Sequence, residues 1–277
     1  MNAGTNAGKS AGKSAGPVPG KRGRLLLVPT PLDFGIRGDD SSSDLREHLP
    51  LGVIREAAAV TDWVAENAKT ARNFLKRVDA VVPLARPLQA LSINELPRPP
   101  KGARNTTSPD LATLLAPAID GRDVGLMSEA GLPAVADPGA ALVEAAHRLD
   151  VAVVALPGAS ALMLALAASG LNGQSFAFVG YLPIEDPARA TSIRELEATS
   201  RRAAQTQLMI ETPYRNAALL GALLAQLQPT TRLAVSCSLG SPAGWSRSDT
   251  VAAWRGSKHA AVSMPTDLPA VFAFLAR

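Results

Sequence analysis

Cysteine is almost absent from this 277-residue chain, and Cys237 is the single one. That excludes an internal disulfide and any zinc site built from cysteines. The three histidines, His48, His147 and His259, stand far apart without an HExxH spacing. No metal-hydrolase signature exists, and no metal is expected. Aromatic residues make up only 4% of the chain, so a core must come from Ala, Leu and Val. No apolar run approaches the roughly 20 residues a membrane helix needs. The best one, Ala159 to Ala168, stops at Ser169-Gly170. No leader-like apolar run follows the N-terminal charges. These absences predict a soluble, cytoplasmic protein with no membrane partner.

Basic charge is also scarcer than the totals imply. The net charge is +4, and the isoelectric point is near 9.5. Yet Lys9, Lys13, Lys21, Arg22 and Arg24 all fall in the first 24 residues, which hold no acid. The other 253 residues carry 23 basic and 24 acidic groups, so the body is near neutral. Whole-chain charge is therefore weak evidence for nucleic-acid binding. Residues 1–23 are mostly Ala, Gly, Ser, Asn and Lys. They have too little apolar surface to offset their ordering entropy and are predicted to be a disordered tail. Gly8-Lys9-Ser10 and Gly12-Lys13-Ser14 imitate a phosphate-binding loop, but the glycine spacing is one short and no strand precedes.

Hydrophobic residues make up 47% of the chain, enough for a substantial core. Short apolar runs alternate with helical stretches. Leu25–Val28, Val60–Ala65, Val124–Met127 and Val151–Leu156 read as strands, the last covered on both faces. Ala68–Val78 places Ala71, Phe74, Leu75 and Val78 on one helical face. Ser108-Pro109 and Asp137-Pro138 read as helix starts running to Ala118 and about Leu149. Ala159–Ala168 reads as a buried helix. In the second half, Phe176–Tyr181, Gln207–Ile210 and Leu233–Ser238 read as strands, and Ala188–Ala204 and Pro213–Leu227 as helices. Asp249–Trp254 and Ala260–Met264 follow without a helix between them, and Val271–Leu275 reads as an edge or final strand. The pattern predicts a parallel α/β half followed by a mixed-sheet half.

Four turns are rich in Gly, Pro and small polar residues: Pro29–Leu32, Ser128–Gly139, Pro157–Ser160 and Glu211–Asn216. Such turns at strand ends let a ligand approach backbone N–H groups, or they are ordinary strand-to-helix caps. No GxGxxG follows a strand and no GxSxG elbow occurs, which removes dinucleotide-dependent oxidoreductases and serine hydrolases of the usual kinds.

Ordered blocks then carry a resemblance. GLMSEAGLPAVADPG from Gly125, VVALPGASALMLALAASGL from Val153 and FAFVGYLP from Phe176 stand beside Val28-Pro29-Thr30-Pro31, Ala65–Arg72 and Glu211–Arg215. Together they resemble the tetrapyrrole methylase family, in its RNA ribose 2′-O-methyltransferase branch. The resemblance implies a two-domain α/β fold, residues 24–156 parallel and 157–277 mixed. It also implies a cofactor cleft between the domains for S-adenosylmethionine, a homodimer, and RNA or the ribosomal small subunit as partner. It places Pro31, Leu32, Ser128, Glu129, Leu132, Pro157, Gly158, Ser160, Ala161, Ile210, Glu211 and Cys237 at the cofactor. Cys237 also reads as a small buried strand residue.

For the chemistry, the resemblance points to Glu66 and Arg72 as catalytic and to Lys69, Tyr214 and Arg215 at the substrate. Glu66 and Glu129 are the candidates for accepting a ribose proton. Glu66 equally reads as a cap for the following helix, and Lys69 as part of a solvated face. The spacing of Glu66, Lys69 and Arg72 would place all three within about 120° on one helix. The chain departs from the family pattern at Glu129, Asn67, Ala68, Lys69 and Tyr214, and after Pro31. Those departures keep open a porphyrin or corrin methylase, and a non-catalytic homologue that only binds cofactor or RNA.

Overall fold

The computed structural model describes residues 21–33, 44–97, 111–256 and 264–277. Most of the expected tail, the Ser108-Pro109 helix start and nearly all of the expected Ala260–Met264 strand lie outside them. Among the described residues, ten strands form two five-stranded sheets.

The first sheet holds β1 (Arg24–Leu27), β2 (Asp62–Ala65), β3 (Ser92–Glu95), β4 (Val124–Met127) and β5 (Ala152–Ala155), in the order β3-β2-β4-β1-β5. Every pairing in it is parallel. Helices α1 (Leu51–Ala59) and α2 (Ala68–Asp79) cover one face. There Val53, Ile54, Phe74 and Leu75 pack with Leu26, Trp63 and Met127. The short α3 (Ala116–Ile119) and α4 (Ala140–Arg148) cover the other, where Leu142 and Ala146 meet Leu25, Val64 and Leu126. Successive strand residues thus feed opposite cores, as the two-residue period of a strand requires.

The second sheet holds β6 (Phe176–Phe178), β7 (Thr206–Glu211), β8 (Arg232–Cys237), β9 (Trp245–Thr250) and β10 (Ala270–Leu275), in the order β6-β7-β10-β8-β9. β6 and β7 are parallel, and the other pairs antiparallel. Helix α5 (Ala161–Ser169) packs Leu162, Ala165 and Leu166 onto Leu208, Ala234 and Val271. Helices α6 (Asp186–Ala203), α7 (Asn216–Gln226) and α8 (Val251–Arg255) cover the other face, with Ile193, Leu219, Leu223 and Trp254 around Phe272 and Phe274. Each of those buried phenylalanines contributes roughly 1.5–3 kcal/mol of apolar burial.

Several sequence expectations change. Val271–Leu275 lies in β10, the central strand of its sheet, because it pairs antiparallel with both β7 and β8. Val151–Leu156 forms an edge strand instead of a doubly covered one, with Ala152 and Ala155 exposed. The all-apolar α5 is buried on one face only, and Met163 and Leu164 stay 44% and 41% exposed. Asp249–Trp254 is divided: a strand ends at Thr250 and α8 begins at Val251, with the Thr250 hydroxyl accepting from Ala253 N. Helix α4 starts at Ala140 behind Gly139, with no side-chain cap, so Asp137 does not cap it. The stretch before Ala118 is a 3-10 turn and a four-residue helix instead of one continuous helix.

Candidate functional site

Four loops leave the carboxyl ends of the parallel strands on one edge of the first sheet. β1 runs into Pro29-Thr30-Pro31, β2 into Glu66-Asn67, β4 into Ser128–Gly139 and β5 into Pro157–Ser160. β1 and β4 are neighbours, yet the chain leaves them for helices on opposite faces. Such a switch point opens a crevice at the strand ends. The two loops are tied across it: Thr30 N donates to Gly131 O at 2.9 Å, and Gly131 N to Thr30 O at 3.0 Å. A hollow of about 410 Å³ at Lys21, Arg22, Arg24 and Asp123 lies at the opposite, amino-terminal edge. Its Arg24 guanidinium is already paired with Asp123 at 2.6 Å.

The Ser128–Gly139 loop holds an unusual backbone. Gly131 and Gly139 have φ of 76° and 135°, and the non-glycines Ala134 and Ala136 also sit at 65° and 64°. A left-handed alanine costs on the order of 1–2 kcal/mol, so this loop is held in place by its surroundings. Ser128 is buried, and its hydroxyl donates to Ala130 O at 3.4 Å. Burial pushes the Asp137 carboxyl above the usual range; the Ser128 hydroxyl opposes this and the Glu129 charge adds to it.

Helix α2 starts beside this loop. Asn67 caps it, its Oδ1 accepting from Lys69 N at 2.9 Å and Thr70 N at 3.2 Å. Glu95 Oε1 accepts from Ala68 N at 2.8 Å. The first-turn donors are therefore served by Asn67 and Glu95, and the capping role considered for Glu66 is overturned. Glu66 precedes the helix, so the arrangement of Glu66, Lys69 and Arg72 on one helical face does not hold. Thr70 donates to Glu129 Oε1 at 3.3 Å, which engages Glu129 across the loop. Lys69, Arg72 and Lys76 form an exposed row on the outer face of α2. Arg72 donates back to Ala68 O at 3.3 Å.

Pro157 and Gly158 lie on the loop after β5. A Cβ on Gly158 would fall 2.3 Å from Pro29 Cβ, so the packing of this loop on the β1 loop requires glycine. Ser160 is the N-terminal residue before α5, 9% exposed, and its side chain makes no capping bond. Ala161 is half-buried at the first helical position. Pro31 is buried, and Leu32 is half-exposed and reaches the second sheet, where a Cβ on Gly240 would lie 3.5 Å from Leu32 Cβ. Leu132 is half-exposed on the β4 loop.

The second sheet reaches this edge through the turn after β8, where Gly240 lies against Leu32. Ala270 pairs with both Glu211 and Cys237, which puts those two in one row. Ile210 lies on the α5 side of the sheet. Cys237 has no exposed surface and points into the α6–α8 core, which raises its thiol pKa. Only its backbone can face a ligand. Glu211, 6% exposed, accepts four bonds at Oε1: from Thr212 N at 2.8 Å, Thr212 Oγ1 at 3.2 Å, Arg215 Nε at 3.0 Å and Arg215 Nη2 at 2.6 Å. Arg215 is thus committed to Glu211, while Tyr214 stands 71% exposed with its ring 5.7 Å from the Arg215 guanidinium.

Two residues outside the sequence-derived set join the cleft. Tyr181 follows β6, and its phenol pKa is raised first by desolvation and then by Asp137 and Glu211; Arg215 opposes and Glu66 adds. Charges from both sheets, Asp137 on the first and Glu211 on the second, therefore act on Tyr181. The sequence marked Asp137 as a helix cap and Tyr181 as the end of a strand. Neither pattern carries information about distant neighbours.

Two parallel and mixed α/β layers meeting at a loop-lined cleft define the fold class. The family model for Tetrapyrrole (Corrin/Porphyrin) Methylases matches residues 53–252, and the chain belongs to that family. A protein of Halalkalibacterium halodurans named Ribosomal RNA small subunit methyltransferase I is 31% identical over 194 residues, 70% of this chain and 57% of that protein. A protein of the same name from Streptococcus pyogenes serotype M6 is 45% identical over 107 residues, 39% of this chain and 35% of its own length. The chain thus spans little more than half of the first relative and about a third of the second. Among solved structures, the methyltransferase CobJ has a TM-score of 0.54 at 17% identity, covering 92% of this chain and 94% of its own, which shows the shared fold.

Proposed function

We propose that this protein is an S-adenosylmethionine-dependent methyltransferase acting on the ribose 2′-hydroxyl of ribosomal RNA. The observation that carries the reading is the tied pair of loops after β1 and β4, facing β7 and β8 across a cleft, in a chain of this family. Relatives named for small-subunit rRNA methylation support the acceptor class. So does the Lys69–Arg72–Lys76 row beside the cleft, since phosphate contacts supply most nonspecific nucleic-acid affinity.

The residues fit the cofactor. Backbone N–H groups at the start of α5 and the uncapped Ser160 hydroxyl suit a carboxylate. Leu32, Leu132 and Ile210 offer apolar walls, with Pro31, Ser128, Glu129, Pro157, Gly158, Ala161 and the Cys237 backbone shaping the rest. The two domains, 24–156 and 157–277, enclose it. When bound, S-adenosylmethionine supplies an activated methyl group on a sulfonium. The chain's own work is to hold the acceptor oxygen in line, exclude water and take one proton. Glu66, on the loop after β2, is the proton acceptor. Lys69 and Arg72 bind phosphates, and Tyr214 and Arg215 form the opposite rim.

The exposed Met163 and Leu164 on α5, with Phe176 and Phe178 on edge strand β6, support a homodimer, which light scattering would show. Among the described residues no helix is long and apolar enough to cross a membrane. The cytoplasm is the compartment where an rRNA acceptor is available.

The deciding experiment incubates the protein and labelled S-adenosylmethionine with small ribosomal subunits, protein-free rRNA and uroporphyrinogen. Label in an alkali-resistant dinucleotide is the expected outcome. Transfer to uroporphyrinogen alone would make this a porphyrin methylase, and no cofactor binding by calorimetry would refute methyl transfer altogether.

A further inference from the structure

The chain has two tyrosines, and both are exposed at the same edge of the second sheet, Tyr181 by 56% and Tyr214 by 71%. This contrasts with the large aromatics of the interior: Trp63, Trp254, Phe74, Phe272 and Phe274 are all at most 5% exposed. Phe176 and Phe178 are half-covered along the edge strand β6.

The two rings are set by neighbouring parallel strands. Val179 N donates to Leu208 O at 2.8 Å and Ile210 N to Gly180 O at 3.2 Å, so the backbone entering Tyr181 is fixed beside Ile210-Glu211. Tyr214 emerges three residues after Glu211, on a 3-10 turn closed by Arg215 N donating to Thr212 O at 2.9 Å. Arg215 lies against the Tyr214 ring and is itself held by the buried Glu211 at 2.6 Å. A guanidinium fixed in this way orders the ring next to it before any ligand arrives. Tyr181 directly follows Gly180, whose carbonyl accepts from Ile210 N, so both rings leave the same strand ends, next to Glu211 and Arg215.

We propose that Tyr181 and Tyr214 form a stacking platform for unpaired nucleobases, presenting one nucleotide of a single-stranded RNA segment to the cleft. This rests on the RNA reading above and specifies it: the acceptor lies in an unpaired loop or end, because a base within a helix offers no free face to stack. Arg215 supports the platform and leaves phosphate binding to Lys69, Arg72 and Lys76 on the facing side. Stacking on tyrosine tolerates any base, so the platform sets strandedness, not sequence.

The test uses the full chain with two readouts. One is equilibrium binding of a fluorescent single-stranded oligoribonucleotide and of its duplex, and the other is methyl transfer to small ribosomal subunits. Tyr181→Ala and Tyr214→Ala should each weaken single-strand binding and raise the RNA KM by about 5- to 150-fold, the range of one lost stacking contact. S-adenosylmethionine affinity and Tm should stay at the wild-type level, because both side chains are exposed. Tyr181→Phe and Tyr214→Phe should restore most of the loss, since the ring is kept. The platform is refuted if the alanine variants bind RNA like wild type, if phenylalanine is as damaging as alanine, or if wild type prefers the duplex. It is equally refuted if the alanine variants lose only uroporphyrinogen turnover, which would give the rings to a macrocycle. Tyrosine-dependent RNA binding without methyl transfer would uphold the platform and refute the methyltransferase reading alone.

Discussion

Thr30 and Gly131 exchange both of their backbone hydrogen bonds, at 2.9 and 3.0 Å, and so lock together the loops that follow two adjacent parallel strands. Gly131 accomplishes this at φ 76°, and a Cβ there would lie 3.3 Å from Leu32 Cδ2. Gly131→Val combines a left-handed β-branched residue with crowding of Leu32. It should cost about 2 kcal/mol or more in stability and weaken cofactor binding in parallel. Chemical denaturation and calorimetry of the same preparation check this. A fully stable variant would show that the bridge is dispensable.

Gly158→Val should behave differently from what a ligand-lining glycine predicts. Its Cβ would meet Pro29 Cβ at 2.3 Å, a clash with the rigid proline ring of the neighbouring loop. Overpacking of this kind costs about 1–3 kcal/mol. A loss of folding stability should therefore accompany any loss of cofactor affinity. Undiminished stability with abolished affinity would return this glycine to a ligand-contact role.

Breaking the Glu211–Arg215 pair leaves a buried carboxylate with only the Thr212 donors. Arg215→Ala should destabilise by about 2 kcal/mol, less than the ~3–5 kcal/mol of a fully buried pair because those donors remain and the arginine is partly exposed. Glu211→Gln added to Arg215→Ala should recover part of that loss. A double-mutant cycle measures it, and additive single losses would show that the pair contributes nothing beyond its parts.

The raised pKa of Asp137 gives a pH prediction. The native state holds this proton more tightly than the unfolded chain, so stability falls as pH rises from the ordinary carboxylate range through the raised value. Asp137→Asn should therefore raise Tm at neutral pH, and the difference should close in acid, below the unfolded carboxylate pKa. A variant less stable than wild type at pH 7 would mean that the charged carboxylate is instead favourably bound.

On the α2 row, Lys69→Ala, Arg72→Ala and Lys76→Ala should each raise the RNA KM at unchanged cofactor affinity. Each should also flatten the salt dependence of binding by about 0.7 log unit per phosphate contact on single strands. Glu66→Gln should lower kcat without altering that slope. Unchanged slopes in all three basic variants would remove α2 from the RNA path.

Much of this arrangement is readable in the sequence, for reasons that are local. Ala71, Phe74, Leu75 and Val78 bury one face of α2 as their spacing demands, because helical periodicity is a property of neighbours along the chain. The loop positions after β1, β4 and β5 were marked by Gly and Pro, which constrain backbone angles wherever they stand. Asn67 departs from the family pattern, yet it caps α2 through two backbone donors, a role its side chain performs without help from elsewhere.

The remaining features depend on contacts between residues far apart in sequence. Val271–Leu275 is as apolar as a terminal strand, and becomes the central one because antiparallel pairing with β7 and β8 covers both of its edges. Thr70 reaches Glu129 and Thr30 pairs with Gly131, and α4 starts without Asp137 as its cap, because loop closure across the sheet edge sets those contacts. The family, the alternation of strands and helices and the small-residue loops are all encoded in short-range spacing and are legible along the chain. Which side chains converge on the cleft was decided by sheet order and by the meeting of two sheets, since proximity across more than a hundred residues leaves no periodic trace in a single chain.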